Sequence, residues 1–252
     1  MLGRIQANPG VSRAELARHF GFSEMAATRI ARDLLGAKII EEFELNEEDS
    51  KRERRLGRRR KGLRINPNGV FAAGITVSAY FSEVSICDAI GKTIARKEVD
   101  NSNFEEAAET ARVYSSALRA LIKDSGINID LFVGVGVAMS AKTMPDSSEI
   151  IRSEYFGWEN DGGQFWAEVR RSTGLPVVVE NIANALALSE MRFGAARGVS
   201  EFALAHVATF AGVSAVSEGR IVRGASGDAG RIGHFRSHKK PLRCTCGRDD
   251  CL

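Results

Sequence analysis

Apolar and polar residues alternate with helical spacing in two short segments near the amino terminus. In the first segment Ser12 precedes Glu15 by three positions, which predicts a capping box, because each side chain can accept a backbone amide at a helix start. Gly21 ends this segment, and Ser23 is the predicted cap of a second helix that ends near Gly36. The apolar positions of the second helix are Met25, Ala26, Ile30, Leu34 and Leu35. Two short helices joined by a glycine turn are typical of a helix-turn-helix motif.

Two short strand-like segments follow the helices. Their apolar residues are Ile39, Ile40 and Phe43 in the first and Leu63 and Ile65 in the second. With the charged residues 44–61 between them as a wing, these strands predict a winged helix-turn-helix domain over residues 1–66. A helical hairpin followed by a solvated basic linker is the alternative.

The second helix, residues 23–34, is the predicted recognition helix for the DNA major groove. The residues expected to face base edges and phosphates are Ser23, Glu24, Ala27, Thr28, Arg29 and Arg32. A second expected DNA contact is Gly57, Arg58, Arg59 and Arg60. Flexible arginines beside a glycine can enter a narrow minor groove, where the electrostatic potential is most negative.

The charge of the chain is divided unevenly along its length. Residues 1–66 contain fifteen Lys and Arg against ten Asp and Glu, a balance of +5, and the remainder contains twenty against twenty-two, a balance of −2, which together give the net charge of +3. Nine of the basic residues lie within residues 51–64. A basic amino-terminal module indicates a polyanionic partner such as double-stranded DNA.

Composition excludes several other classes of protein. The amino-terminal residues lack the apolar core of a secretion signal, and no apolar run is long enough to span a bilayer. With four cysteines in 252 residues and no export signal, we expect a cytoplasmic location.

Strands and helices alternate after the turn Asn66-Pro67-Asn68-Gly69, which we interpret as a domain boundary. The expected strands are residues 70–78, 81–87, 93–99, 131–139, 177–179, 202–209 and 212–216, and the expected helices are residues 104–123, 162–173 and 183–193. The order β-β-β-α-β-α-β-α-β-β predicts an α/β domain over residues 67–252 whose sheet begins as an antiparallel meander.

The strongest chemical signal is a run of metal-binding residue types near the end of the sequence. His234, Cys244, Cys246 and Cys251 offer one nitrogen and three sulfur donors within eighteen residues. Thiolates and imidazole suit zinc, and four protein ligands close its tetrahedral shell, so we predict a structural zinc site. A set of free thiols is the alternative.

Five further motifs can be compared with known families: Ser12-Arg13-Ala14-Glu15-Leu16-Ala17, Leu56-Gly57-Arg58-Arg59, Gly157-Trp158, the glycine-rich residues 224–230 and the His-x9-Cys-x-Cys-Gly-x3-Cys run. Together they resemble the ROK family (repressor, open reading frame, kinase), and more closely its transcriptional-repressor branch. The resemblance implies an actin-like, two-lobed ATPase fold behind the winged helix. It also implies a sugar or sugar-phosphate effector, a dimeric or tetrameric regulator, and zinc that supports the loop of a sugar-contacting histidine.

The chain departs from the pattern of the family's kinases at three places. The phosphate turn after the first strand is Thr76-Val77-Ser78-Ala79-Tyr80, and the nucleotide-facing turn is Ala208-Thr209-Phe210. The family's catalytic aspartate falls at Ile182, which cannot accept a proton. We therefore expect neither ATP binding nor kinase activity.

The sugar-contacting set that the resemblance implies is only partly kept. Asn181 and His234 match it, whereas the family's glutamate is replaced by Arg231. Arginine pairs with carboxylates and phosphates, so a sugar phosphate or sugar acid is one expectation, and a cavity that binds nothing is the other.

The sequence as a whole predicts a DNA-binding transcriptional regulator, most simply a repressor of carbohydrate-related genes that forms a homodimer or higher homo-oligomer. Family repressors continue beyond the metal run, so the second lobe is expected to be incomplete. The alternatives are a sugar kinase with an atypical active site and a truncated regulator that binds DNA without sensing a ligand.

Overall fold

The structure is a computed structural model, and it describes residues 1–45, 61–78, 81–100, 106–144, 147–153, 155–208, 211–237, 243–244 and 246–251. It divides into two compact units. Unit 1 contains residues 1–71 and 88–92, and unit 2 contains residues 72–87 and 93–252.

Unit 1 consists of three helices and an antiparallel pair of strands. These are α1 (Leu2–Ala7), α2 (Arg13–Phe20), α3 (Glu24–Gly36), β1 (Ile40–Glu44) and β2 (Lys61–Ile65). The predicted capping box at the start of α2 is confirmed, since Ser12 Oγ accepts the Glu15 amide at 3.2 Å and Glu15 Oε2 accepts the Ser12 amide at 2.8 Å. Ser23 caps α3 by accepting the amide of Ala26 at 3.2 Å.

The core of unit 1 is small and is built from every one of its elements. Its fully buried members are Ile5, Leu16, Ala31, Ile40 and Leu63. Residues 10 and 62 approach so closely that a Cβ on Gly62 would lie 2.6 Å from the Cα of Gly10. Only glycine fits at position 62, and this contact brings the segment before α2 against β2.

One element of this unit was not predicted, and one expectation about it was wrong. Helix α1 was not predicted, because six residues with one buried side chain, Ile5, carry too little periodicity. Met25 was expected on the apolar side of α3, but its side chain is 84% exposed.

Unit 2 alternates strands and helices as the sequence predicts. The elements are β3 (Phe71–Val77), β4 (Ser82–Asp88), β5 (Thr93–Glu98), α4 (Ala107–Ser125), β6 (Phe132–Met139), β7 (Lys142–Thr143), β8 (Ile150–Ser153), β9 (Trp158–Glu159), α5 (Gln164–Thr173), β10 (Val177–Asn181), α6 (Ile182–Phe193), β11 (Phe202–Val207), β12 (Ala211–Ser217) and β13 (Arg220–Ile221). The three strands of the small sheet β7-β8-β9 and the short β13 were not predicted.

The main sheet has the strand order β10-β6-β3-β4-β5. The pair β4–β5 is antiparallel, as expected for the meander, and the pair β6–β10 is parallel. Alternate residues of β3 and β4 are buried, and α4 packs against α5 with eight buried residues, including Tyr114 and Leu118. A separate antiparallel sheet, β11-β12-β13, packs on α6 through Ala187, Val216 and Ile221.

The parallel pairing of β6 and β10 decides where a ligand can bind. Asn181 lies beside Met139 in the register, so both strands end at the same edge of the sheet. Crevices at the carboxyl ends of parallel strands are the usual ligand sites of α/β proteins. None of the helices in the described ranges is long and apolar enough to cross a membrane.

Candidate functional site

The four residues of the predicted metal run converge in space. Their candidate ligand atoms all lie within 4.8 Å of one another. His234 Nδ1 lies 3.6 Å from Cys251 Sγ and 3.7 Å from Cys244 Sγ, and Cys246 Sγ lies 3.6 Å from Cys251 Sγ.

Three of the six separations between these atoms match the edges of a zinc tetrahedron. With Zn–S near 2.3 Å and Zn–N near 2.0–2.1 Å, tetrahedral geometry separates two sulfurs by about 3.8 Å and a sulfur from a nitrogen by about 3.5 Å. The three measured separations fall within about 0.2 Å of those values. The residues present therefore fit zinc, with histidine bound through Nδ1.

Backbone contacts fold the cysteine segment into a compact turn. The amide of Cys244 donates to the carbonyl of Arg248 at 2.7 Å, and the amide of Gly247 donates to Cys244 at 2.9 Å. Arg248 Nη2 also donates to the carbonyl of His234 at 3.1 Å, which links the turn to the histidine. The ligand set is thus held by bonds other than those to a metal ion.

The thiols of the cluster titrate differently. The backbone amide of Arg248 donates to Cys246 and lowers the pKa of that thiol. Burial, together with the neighbouring thiols, raises the pKa of Cys251 to about 11. Because metal ligation requires thiolates, zinc binding would release the proton of Cys251, and acid would favour loss of the metal.

The loop that carries Arg231 and His234 is fixed against β12. The amide of Val213 donates to the carbonyl of Gly230 at 2.8 Å, and a Cβ on residue 230 would lie 1.7 Å from the carbonyl oxygen of Val213. Gly230 also has a φ of +84°. Both this backbone conformation and the lack of space for a Cβ therefore require glycine at this position. Because of this close contact with β12, the 3₁₀ turn Ile232–His234 lies beside a cavity in unit 2.

A cavity of about 490 Å³ lies in unit 2 at the carboxyl ends of β6 and β10. All three residues of the predicted ligand set line it: Asn181, Arg231 and His234. The wall also includes Lys142, His206 and Ile182, and no aspartate or glutamate occurs among the described residues that line it.

Lys142 is the cavity residue that sequence reasoning missed. Its ammonium donates to Asp228 Oδ2 at 2.5 Å, and its side chain is only 16% exposed. Asp228 also accepts from Ser226 Oγ at 2.9 Å and from Arg231 Nη1 at 3.4 Å. Lys142 lies three residues after the end of β6. Because ligand residues often follow buried strands, this position is the sequence signal that could have identified Lys142.

Asn181 lines the cavity but also has a structural task. Its Oδ1 accepts the amide of Ala183 at 2.9 Å and so caps α6, and its Nδ2 donates to the carbonyl of Ala141 at 2.9 Å. Both contacts fix the side chain between β10 and the end of β6, leaving one amide hydrogen for a ligand.

A buried carboxylate lies beside Asn181 in β10. Glu180 accepts from the amide of Asn181 and from Asn184 Nδ2, each at 2.9 Å. Its second oxygen accepts from Arg223 Nε at 3.0 Å and from Arg223 Nη2. Glu180 does not line the cavity, so its charge is used to join β10 to the segment after β13.

The DNA-binding residues predicted on α3 are not all on one face. Ser23, Glu24, Thr28, Arg29 and Arg32 are exposed. Ala27 is fully buried, so its expected place on the exposed face was wrong, and the exposed Met25 lies on the outer side instead. The predicted minor-groove residues Gly57, Arg58, Arg59 and Arg60 lie outside the described residues.

Comparison with known proteins places the chain in a family. The sequence profile of the ROK family matches residues 73–252. The chain belongs to the ROK family. That match begins within β3 and covers unit 2 except residue 72, including the cavity and the His/Cys cluster.

ROK relatives of this chain include repressors and kinases. The xylose repressor of Caldicellulosiruptor bescii is 21% identical over 252 residues, which are 100% of this chain and 61% of that protein. A ROK family transcriptional regulator, a homologue of the E. coli MLC protein, superposes with a TM-score of 0.79 at 21% identity over 99% of this chain and 61% of the other. The ROK family glucokinase of Streptomyces griseus, in complex with glucose and AMPPNP, gives a TM-score of 0.64 at 24% identity over 72% of this chain and 55% of the other.

The two structures establish the shared ROK fold, and the first extends that likeness through unit 1. The chain spans about three fifths of the length of the curated relatives it matches.

Proposed function

We propose that this ROK protein is a ligand-responsive transcriptional regulator, most simply a repressor of carbohydrate-related genes. Unit 1 binds operator DNA as a winged helix-turn-helix domain, and unit 2 senses a sugar derivative in its cavity. The observation that carries the proposal is α3, a capped helix with an exposed polar and basic face, in a chain whose relatives include the xylose repressor.

The DNA side of the proposal rests on the geometry of unit 1. Gly21, with a φ of +67°, makes the turn between α2 and α3, and the pair β1–β2 follows directly. Arg29 and Arg32 are exposed on the outer side of α3, where they can reach phosphates or guanine edges. A homodimer would present two such helices about 34 Å apart, or a multiple of that distance, to a pseudo-palindromic site.

The sensing side rests on the cavity and on the metal cluster. When bound, zinc would supply a closed structural brace through His234, Cys244, Cys246 and Cys251. Nδ1 of His234 faces the thiols, and His234 is also one of the residues that line the cavity. Ligand contacts at this wall are therefore coupled to the fold of residues 230–237 and of the cysteine-bearing residues that the structure describes.

A kinase is the alternative that the fold similarity raises, and the cavity does not favour it. Ile182, at the first turn of α6, lines the wall where the family's kinases place their catalytic aspartate. A hydrocarbon side chain cannot take a proton from a sugar hydroxyl, and loss of a general base costs about 10²–10⁴-fold in rate. A coupled assay with ATP and a panel of hexoses tests the kinase alternative. Turnover that is abolished by mutation of a single carboxylate would favour the kinase over the regulator.

The regulator is tested by its binding to duplex DNA. We expect the purified chain to select a pseudo-palindromic sequence from a randomised pool and to lose affinity steeply as salt rises, because nine basic residues in 51–64 can displace counterions. Fluorescence anisotropy at several salt concentrations measures both effects. An affinity that is unchanged between low and physiological salt would contradict the proposal.

A matched pair of variants locates the DNA contact. Arg29→Ala should weaken binding to the selected duplex by roughly five- to 150-fold, because a lost base or phosphate contact costs about 1–3 kcal/mol. Arg119, exposed on α4 in unit 2, provides the control for loss of one positive charge. Equal losses for Arg29→Ala and Arg119→Ala would place the contact elsewhere than on α3.

A further inference from the structure

We propose that Met25 contacts the C5-methyl group of a thymine in the operator and is therefore a specificity-determining residue of α3. The inference rests on the proposed DNA-binding function. It adds an apolar base contact to the polar and charged contacts that Arg29 and Arg32 can make.

Met25 has an unusually exposed side chain for an apolar residue. It is 84% exposed, the largest fraction among the large apolar residues in the part of the chain that the structure describes. The apolar residues just before α3 are better covered, since Phe20 and Phe22 stack on each other with ring centroids 5.6 Å apart. A single exposed apolar residue is common on protein surfaces, so the position of Met25 decides what it can do.

Met25 shares the outer face of α3 with two arginines. Residues 25, 29 and 32 follow the i, i+4, i+7 spacing of one helix face, and all three are exposed. The fully buried Ala27 and Ala31 mark the opposite side of the helix. A DNA groove that Arg29 and Arg32 contact along α3 therefore also faces Met25.

Met25 also lies at the end of α3 that contacts base edges in helix-turn-helix complexes, where the amino-terminal residues of the recognition helix enter the major groove. It is the second residue of α3, one turn before Arg29. Ser23 fixes this first turn by accepting the amide of Ala26 at 3.2 Å. The Met25 side chain thus extends from a capped turn on the face that meets the bases.

The chemistry of the major groove then identifies the base. Every base pair presents hydrogen-bond donors or acceptors there, and the apolar group among these features is the C5-methyl of thymine. A thioether has no donor and is only a weak acceptor, so Met25 gains little from the polar base edges. Its flexible, polarizable side chain suits contact with a methyl group. Thymine is therefore the base that Met25 favours.

Replacement of thymine by 2′-deoxyuridine tests the proposal, because it removes the methyl group and nothing else. The probe is the duplex that the full chain selects, with each thymine of a half-site replaced singly and binding measured by fluorescence anisotropy. We expect one thymine at which loss of the methyl group weakens binding about fourfold, a factor that corresponds to about 0.8 kcal/mol for one buried carbon. A selected half-site without thymine, or equal affinity for all the uracil duplexes and the thymine duplex, would overturn the proposal.

Three variants assign the methyl dependence to Met25. Met25→Ala should bind the thymine duplex about fourfold more weakly and should no longer distinguish it from the uracil duplex. Met144→Ala is the matched control, since Met144 is 40% exposed in unit 2, and it should keep the full methyl dependence. Arg29→Ala should weaken binding to both duplexes by the same factor, because it removes a different contact.

Met25→Ala is not expected to unfold α3, because the side chain is exposed and alanine favours helices. A methyl dependence that persists in Met25→Ala would mean that another residue contacts the thymine, and would refute the proposal. If Met25→Ala instead changes the oligomeric state in sedimentation velocity and leaves the methyl dependence intact, Met25 is a protein contact and the proposal is wrong.

The same measurements separate this inference from the function on which it rests. A chain that binds its selected duplex without any methyl dependence refutes the thymine contact alone. A chain that selects no duplex refutes the regulator and the thymine contact together.

Discussion

Adjacent residues at the start of α6 perform different tasks. Asn181 caps the helix and bonds to Ala141, while Ile182 presents hydrocarbon to the cavity. Both residues were singled out from sequence, Asn181 as a ligand contact and Ile182 as a lost base. The bond from Asn181 to Ala141 could not be predicted, because Ala141 lies forty positions away and is brought close only by the pairing of β6 with β10.

Glu42 is the residue in unit 1 whose charge has the clearest structural use. It accepts from Lys61 Nζ at 3.0 Å and from Arg13, and so joins β1 to β2 and α2. The hydrogen bond from Lys61, assisted by Arg13 and opposed by partial burial, lowers the pKa of Glu42 below its ordinary value. A lowered carboxyl pKa in the folded state means that the stabilisation is present above the unfolded pKa of about 4.3 and is lost as pH falls through the folded pKa.

Glu42→Gln should therefore lower the free energy of unfolding of unit 1 by about 1 kcal/mol at pH 7. The difference in this free energy between the variant and the unmodified chain should shrink at pH values below about 4. Both tryptophans of the chain, Trp158 and Trp166, lie in unit 2, so tryptophan fluorescence does not report on unit 1. Hydrogen exchange of the β1 amides is therefore the suitable measurement. Glu41→Gln is the control, since Glu41 contacts Arg64 at 2.6 Å and is more exposed. A difference that persists unchanged to pH 3 would contradict this account.

At the scale of elements, α3 shows which part of a helix can be predicted. The predicted start, cap and length of α3 are confirmed, but the prediction of which residues lie on its buried side was partly wrong. Large apolar residues were taken as the inner face, whereas the fully buried positions are Ala27 and Ala31, four residues apart on one side. Small side chains allow α2 and α3 to approach closely, and Met25 falls outside that stripe.

The elements that escaped prediction are the shortest ones. Strands β7, β9 and β13 contain two residues each, which is too short to show alternation, although each pairs with a strand whose partner residues lie within ten positions. The small sheet β7-β8-β9 matters nonetheless, because Lys142 is the first residue of β7. The metal run was easier to predict, since the four ligand types and their spacing carry the signal directly.

The metal-binding loop leads to a prediction about composition. The purified chain should contain about one zinc per molecule, and Cys246→Ser should reduce that content sharply, because a tetrahedral Cys3His site needs all four ligands. Cys87→Ser is the control, since Cys87 lies on β4 and its thiol lies 3.6 Å from the carbonyl of Ala72. Atomic absorption after dialysis gives the stoichiometry, and a zinc-free unmodified chain, or equal loss in both variants, would exclude the site.

At the scale of the whole molecule, the uneven distribution of charge along the chain agrees with different functions for its two parts. The basic residues concentrate in 1–66, and the ROK match begins at residue 73. The order of strands and helices was predictable from periodicity, as was the α/β class. The strand order of the main sheet and the cavity were not, because they depend on which strands pair, a non-local property that alternation does not encode.

The core of unit 1 is formed entirely by residues 1–65, and the metal ligands all lie beyond residue 233. Removal of zinc with a chelator should therefore raise hydrogen exchange in residues 230–237 and 246–251 while leaving the amides of α2 and α3 unchanged. The reason is that local opening follows local contacts, and no residue of the unit 1 core cluster contributes a metal ligand.

Hydrogen exchange of the full chain, with and without chelator and after zinc is restored, measures this directly. Cys246→Ser should reproduce the pattern of the chelated protein, whereas Cys87→Ser should match the unmodified protein. If α2 and α3 exchange faster by the same factor as the segments that carry the metal ligands, the two units unfold together, and zinc then stabilises α2 and α3 as well as the cavity wall. If only the loop responds, the effect of zinc is confined to the segments that carry its ligands.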